Sequence, residues 1–158
     1  MSDAPGPSIK PHPFEFIARG VAVREGAVLL CRDIAGDYYY LPGGHVEFGE
    51  RATAAAEREY EEESGLRVRA TDLLLVTEGC FEQRRWHHEV TLVFHVEPET
   101  GPWPESVESR ESHLAFDWVP LAAIVDLDVR PLSHKAWLAS GGGGSGHAEW
   151  ASDVPPAG

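Results

Sequence analysis

The chain of 158 residues carries 13 basic against 26 acidic side chains, a net charge of −13 at neutral pH. That balance weighs against broad electrostatic binding to nucleic acid or to anionic membranes, and the length suits one domain able to bury most of its apolar surface without staples. Cys31 and Cys80 lie in apolar runs and read as reduced core residues; with no stretch long and apolar enough to span a membrane and no secretory signal at the start, the expected location is cytoplasmic.

In chain order, residues 1–13 are polar and proline-bearing and read as a flexible leader. Phe14 to Val23 and Ala27 to Cys31 read as strands joined by a turn at Glu25-Gly26, and Tyr38 to Leu41 as a short strand into the glycine loop Leu41-Pro42-Gly43-Gly44. Arg51 to Ser64 is rich in Ala, Glu and Arg, lacks proline and ends at Gly65, which predicts a helix with a left-handed C-terminus. Leu66 to Cys80 and His88 to Val96 follow as strands, with Gln83 to His87 as a polar, basic hairpin tip. Leu114 to Val119 predicts another strand, Leu121 to Val125 a helical turn, and Pro131 the first turn of a last helix through Ala139. Residues 140–158, with GGGGSG and PPAG, read as a flexible tail. Strands on either side of one helix and a second helix at the end predict an α/β domain over residues 14–139, its mixed sheet covered on both faces.

The predicted helix carries the chemistry. At 100° per residue, Glu59, Glu62 and Glu63 fall within roughly a 100° arc of one helix face. Ala52, Ala55 and Ala56 share that stripe, while Glu57 and Glu61 point the other way and read as solvated. Three carboxylates converging beside a packed surface repel one another and stay ionised only with a counter-charge. A hard divalent cation with oxygen ligands supplies it, and Mg2+ fits because it is shared between a few carboxylates and substrate phosphates.

Gly44, Glu50, Arg58, Glu59, Glu62, Glu63, Gly65 and Leu66 stand at the spacing of the Nudix box, and the stretch GHVEFGERATAAAEREYEEESGL resembles that motif at every strictly specified position. Chance occurrence of seven such residues is on the order of one in 100,000. Tyr60 is the one soft departure, standing where the family usually has an aliphatic or other large apolar residue.

The resemblance implies the α/β/α sandwich of the MutT-like Nudix hydrolases and hydrolysis of a phosphoanhydride by water. It assigns catalytic roles to Glu50, Arg58, Glu59 and Glu62, with Glu50 and Arg58 orienting the loop and helix and either Glu59 or Glu62 serving as base. It assigns Mg2+, with Mn2+ as a substitute, to Glu59, Glu62, Glu63 and the carbonyl of Gly43. Relatives sometimes draw an extra base or ligand from outside the box; Glu111 and Asp117 are the candidates, each with an ordinary surface acid as the competing reading.

Substrate contacts are expected from Phe81, Arg84, Arg85 and Trp86 near the hairpin tip and from His45 in the loop. A partly packed hairpin is the alternative for the former, and a structural histidine for the latter. His87 and His88 project to opposite sides of a strand and cannot serve one metal. No proline lies between Pro42 and Pro98, and Tyr60 is the last tyrosine, so subgroup signals for ADP-ribose and dinucleoside polyphosphates are missing. The partner expected is a small nucleotide, a nucleoside diphosphate linked to X with nucleoside triphosphates the leading class, and relatives suggest a homodimer. The alternative function is a Nudix-like nucleotide sensor without turnover; a purely structural domain with an acidic helix is the third.

Overall fold

The computed structural model describes residues 14–142 and 146–155; the expected leader, and residues 143–145 and 156–158 of the expected tail, lie outside the described residues. Strand β1 (Phe14–Val21) leads through β2 (Val23–Arg24) to β3 (Ala27–Asp33). Glu25 at φ 50° and Gly26 at φ 78° make the tight turn between the last two, the conformation a two-residue hairpin loop requires. Next come β4 (Tyr38–Tyr40), β5 (Gly43–His45), the helix α1 (Ala52–Ser64), the long strands β6 (Val68–Gln83) and β7 (Arg85–Pro98), and β8 (Leu114–Pro120). A 3-10 helix (Leu121–Asp126), helix α2 (Leu132–Ala139) and strand β9 (Glu149–Ser152) complete the described chain.

Five strands form a mixed sheet in the order β5-β1-β7-β6-β9, in which β1 with β7 and β6 with β9 are parallel. A smaller antiparallel sheet is built around β3, which pairs with β2, β4 and β8. Side-chain alternation gives the large sheet two apolar faces. Ala18 and Phe94 point to one, where Ala55 and Ala56 of α1 pack on them. Val21, Val93 and Leu75 point to the other and join Val28, Leu30, Ile124, Trp137 and Leu138, so α2 and the small sheet close that side. Helices on both faces of a mixed sheet are the expected sandwich. Among the described residues no helix is long and apolar enough to cross a membrane.

Four local features differ from the sequence reading. The glycine loop contains β5, because Gly43 and Gly44 let the backbone pair with Arg19 and Ala18 of β1. The hairpin tip is mostly strand: β6 and β7 run to Gln83 and from Arg85, leaving Arg84 at φ 60° as the turn. Part of the expected tail is ordered, since Glu149–Ser152 finds the open edge of β6 and pairs Leu75 to Glu78 in parallel. Asp153 then accepts from the backbone N–H of Ser133 at 3.1 Å and from its hydroxyl, capping α2. Finally, Glu57 is not free in solvent: its carboxylate accepts from the backbone N–H of Ala70 at 2.9 Å, tying α1 to β6.

Candidate active site

Helix α1 ends where the reading of the chain placed its end. Gly65 takes φ 73° and its N–H reaches the carbonyl of Glu61. A neighbouring segment seals this end, with the Arg110 N–H on the Glu63 carbonyl at 2.7 Å and the Arg110 guanidinium on that of Glu61 at 3.2 Å. Tyr60, the unusual residue of the box, is fully buried among Ala22, Leu29, Val96 and Phe116. It is tolerated because Gly20 has no side chain: a Cβ there would lie 2.6 Å from the Tyr60 ring. The phenol in turn donates to the Gly20 carbonyl at 2.9 Å, so its one polar group is satisfied.

Arg58 organises the carboxylates. Its Nε and Nη2 bond both oxygens of Glu50, at 2.8 and 3.0 Å, in a bidentate pair. Its Nη1 reaches Glu59 at 2.9 Å and Glu62 at 3.2 Å, and Nη2 also donates to the His45 carbonyl at 3.0 Å. The hydrogen bond from Arg58, with a second from the Glu47 N–H, holds the Glu50 carboxyl down at about 2. Glu59 lies against the glycine loop so closely that a Cβ on Gly44 would fall 2.5 Å from its carboxyl carbon. Gly43, at φ 147°, has the Ala18 carbonyl 2.2 Å from where its Cβ would be. Neither position accepts a side chain without displacing its neighbour.

Glu63 sits deeper. Burial, and then the charge of Glu59, pushes its carboxyl up to about 7, while Arg19 and the Cys31 thiol, which donates to it at 3.8 Å, pull the other way. Glu111, next to the Arg110 that bonds the helix end, adds a smaller upward push. Asp117 is elsewhere: it pairs with Arg32 at 3.1 Å on the small sheet and accepts from the Tyr39 hydroxyl at 3.4 Å. The two outside candidates therefore separate, Glu111 next to the helix and Asp117 in an ion pair of its own.

Arg19 belongs to the site although the sequence reading did not single it out. It donates to the Leu41 carbonyl at 2.7 Å and lies over the Tyr40 ring at 5.4 Å. Its charge works against the burial that raises the carboxyls of Glu63 and Glu89. Its only signal in the sequence is a charged residue inside the otherwise apolar run Ile17 to Val23.

The expected substrate contacts divide by face. Cross-strand register puts His45, Glu15, His87, Glu89, Arg85 and Phe81 on the face of the large sheet opposite α1. Trp86 alternates onto the α1 side, where it is 49% exposed; Arg84 stands at the turn. Glu62 lies at the rim with its side chain 56% exposed, against 17% for Glu59.

Among the described residues no three acids or histidines stand ready-made around one point, since Arg58 engages Glu59 and Glu62. The donors are nonetheless all oxygens, Glu63 is short of positive partners, and the Gly44 cradle brings the loop backbone onto Glu59.

The NUDIX domain model matches residues 15–140, and the chain belongs to the NUDIX family. A putative hydrolase, 111R, of Invertebrate iridescent virus 3 is 28% identical over 129 residues, covering 81% of this chain and 72% of the viral protein. The human 8-oxo-dGDP phosphatase NUDT18 is 34% identical over 103 residues, covering 65% of this chain but only 30% of its own length. The MutT protein of Methanosarcina mazei Go1 superposes with a TM-score of 0.65 at 22% identity, covering 82% of this chain and 94% of that one. The chain is thus a Nudix hydrolase with the MutT-like fold, in a family that generally uses a divalent metal and acts on small nucleotide substrates.

Proposed function

We propose that the chain is a Mg2+-dependent pyrophosphohydrolase that cleaves a phosphoanhydride in a nucleoside diphosphate linked to X. The observation that supports this most is the network on Arg58, which gathers Glu50, Glu59 and Glu62 beside the glycine loop with the partly buried Glu63 next to them. Glu59, Glu62, Glu63 and the Gly43 carbonyl would hold the metal. When bound, Mg2+ neutralises charge on the diphosphate oxygens and lowers the pKa of an attacking water.

The chain's own groups do the rest. Arg58, anchored on both oxygens of Glu50, fixes the directions of Glu59 and Glu62. One of those two carboxylates accepts the proton of the water as it attacks phosphorus, and Glu111 is the alternative base. Arg19 keeps the interior side of the site positive, which favours the ionised form of Glu63. His45, Arg85 and Phe81 contact the substrate from the face of the large sheet opposite α1, at the hairpin end. Nucleoside triphosphates lead the substrate classes, and the name of the human relative adds an oxidised deoxyguanosine diphosphate to the set to be tried.

The test is turnover with Mg2+ or Mn2+ over nucleoside triphosphates and diphosphates, nucleotide sugars, ADP-ribose and dinucleoside polyphosphates, with products identified. Glu59→Gln and Glu62→Gln each lower the rate by about 100-fold or more in a folded protein. Unchanged turnover in both variants would overturn the reading.

A further inference from the structure

Glu15, on β1, is gripped from two sides. One carboxylate oxygen meets His45 Nε2 at 3.0 Å and the other meets His87 Nδ1 at 2.8 Å. The remaining nitrogen of His87, Nε2, faces the backbone carbonyl of Gln83 at 3.2 Å. A carboxylate and a carbonyl are both acceptors, so His87 satisfies both only when each ring nitrogen carries a proton. Phe81 supports that state by stacking flat on the His87 ring, with centroids 5.0 Å apart and planes 6° from parallel, which places a cation over a π-face. Burial raises the Glu15 carboxyl, but the bonds from His45 and His87 outweigh it and leave the group below its ordinary value. Both partners are shielded, with side chains 14% and 15% exposed, so this is no loose surface pair.

The charged groups around His87 are Glu15 on β1, His45 on β5, Glu89 on its own strand with Arg19 close to it, and Arg84 and Arg85 at the tip. The carboxylates favour the imidazolium and the arginines oppose it; the direct 2.8 Å contact with Glu15 is the closest of these interactions. Three strands meet here. The link ties the far end of the β6–β7 hairpin to the strand that holds the glycine pair.

We propose that Glu15 is a positioning residue: with a doubly protonated His87 it clasps the hairpin tip to Gly43–His45, and so sets where His45 and Arg85 meet the substrate. This rests on the pyrophosphohydrolase reading for its effect on turnover, though the clasp itself does not.

Glu15→Gln keeps the size of the side chain but offers one acceptor where two are needed, and His87→Phe keeps a ring over Phe81 without its N–H groups. Each raises KM by about tenfold at about pH 6, with kcat changed by less than about twofold, and the double variant is no worse than either. Nitrogen NMR of the imidazoles reads the clasp without any substrate: at about pH 6 both His87 nitrogens carry protons and bond their acceptors in the unaltered protein, and this pattern is lost in Glu15→Gln. A neutral His87 tautomer at about pH 6, or variants that lower kcat and leave KM alone, would overturn the proposal. If no substrate is turned over, the functional reading fails while the NMR result still decides whether the clasp exists.

Discussion

The Tyr60 phenol shows how one side chain is accommodated by another's absence. The ring occupies the volume above Gly20, and its hydroxyl bonds the carbonyl of that same residue. Tyr60→Phe removes one internal hydrogen bond and costs about 1 kcal/mol, a fall in Tm of roughly 2–4 °C by calorimetry. Gly20→Ala puts a methyl against a buried ring and against Val96, where nothing can swing away, and costs about 1–3 kcal/mol. Gly44→Ala differs in kind. Its Cβ meets only the far end of the Glu59 side chain, so the fold survives while Glu59 moves; activity falls about tenfold or more with Tm nearly unchanged.

Helix α2 owes its position to polar groups as well as to Trp137 and Leu138. His134 is 1% exposed and its Nε2 meets the Thr77 hydroxyl at 3.0 Å, while its Nδ1 has no partner among the described residues. Burial first, and then the charge of Arg19, lowers its pKa from 6.5 to about 3. The unfolded chain therefore binds a proton that the folded protein refuses between those values, and stability drops as pH falls through that window. His134→Leu flattens this acid limb in denaturation curves taken at a series of pH values; an unchanged limb would show that His134 is not its source. In the same first turn of α2, Asp153→Ala removes the cap on Ser133 and costs about 1 kcal/mol, read in the same way. The neighbouring strand β9 was invisible in the sequence because four residues after a glycine run carry little pattern; only the free edge of β6 made a partner for them.

For the whole molecule, an acidic chain of net charge −13 concentrates several carboxylates on one helix, and a ligand that binds only the folded state stabilises it. Mg2+ at about 100 times its dissociation constant adds about 2.7 kcal/mol by that linkage, visible as a rise in Tm. The rise disappears when Glu59, Glu62 and Glu63 are all changed to Gln, and a rise that persisted would place the ion elsewhere.

The order of the strands and helices other than β5 and β9, the helix end at Gly65 and the run of box residues were legible in the sequence, because each depends on local pattern: alternation, helical spacing and a glycine where φ turns positive. What lay beyond it were choices between neighbours far apart in the chain. Asp117 and Glu111 looked alike as acids, yet one pairs with Arg32 while the other follows Arg110, whose backbone N–H bonds the end of α1. Glu57 looked solvated and caps a strand N–H; Arg19 looked like a strand residue and its charge acts on two carboxyls. Trp86 and Arg85 are adjacent in sequence and opposite in space. Local propensity sets which element a residue belongs to. Which face it presents, and which charge it meets there, is decided only when the strands take their register and the sheets close on one another.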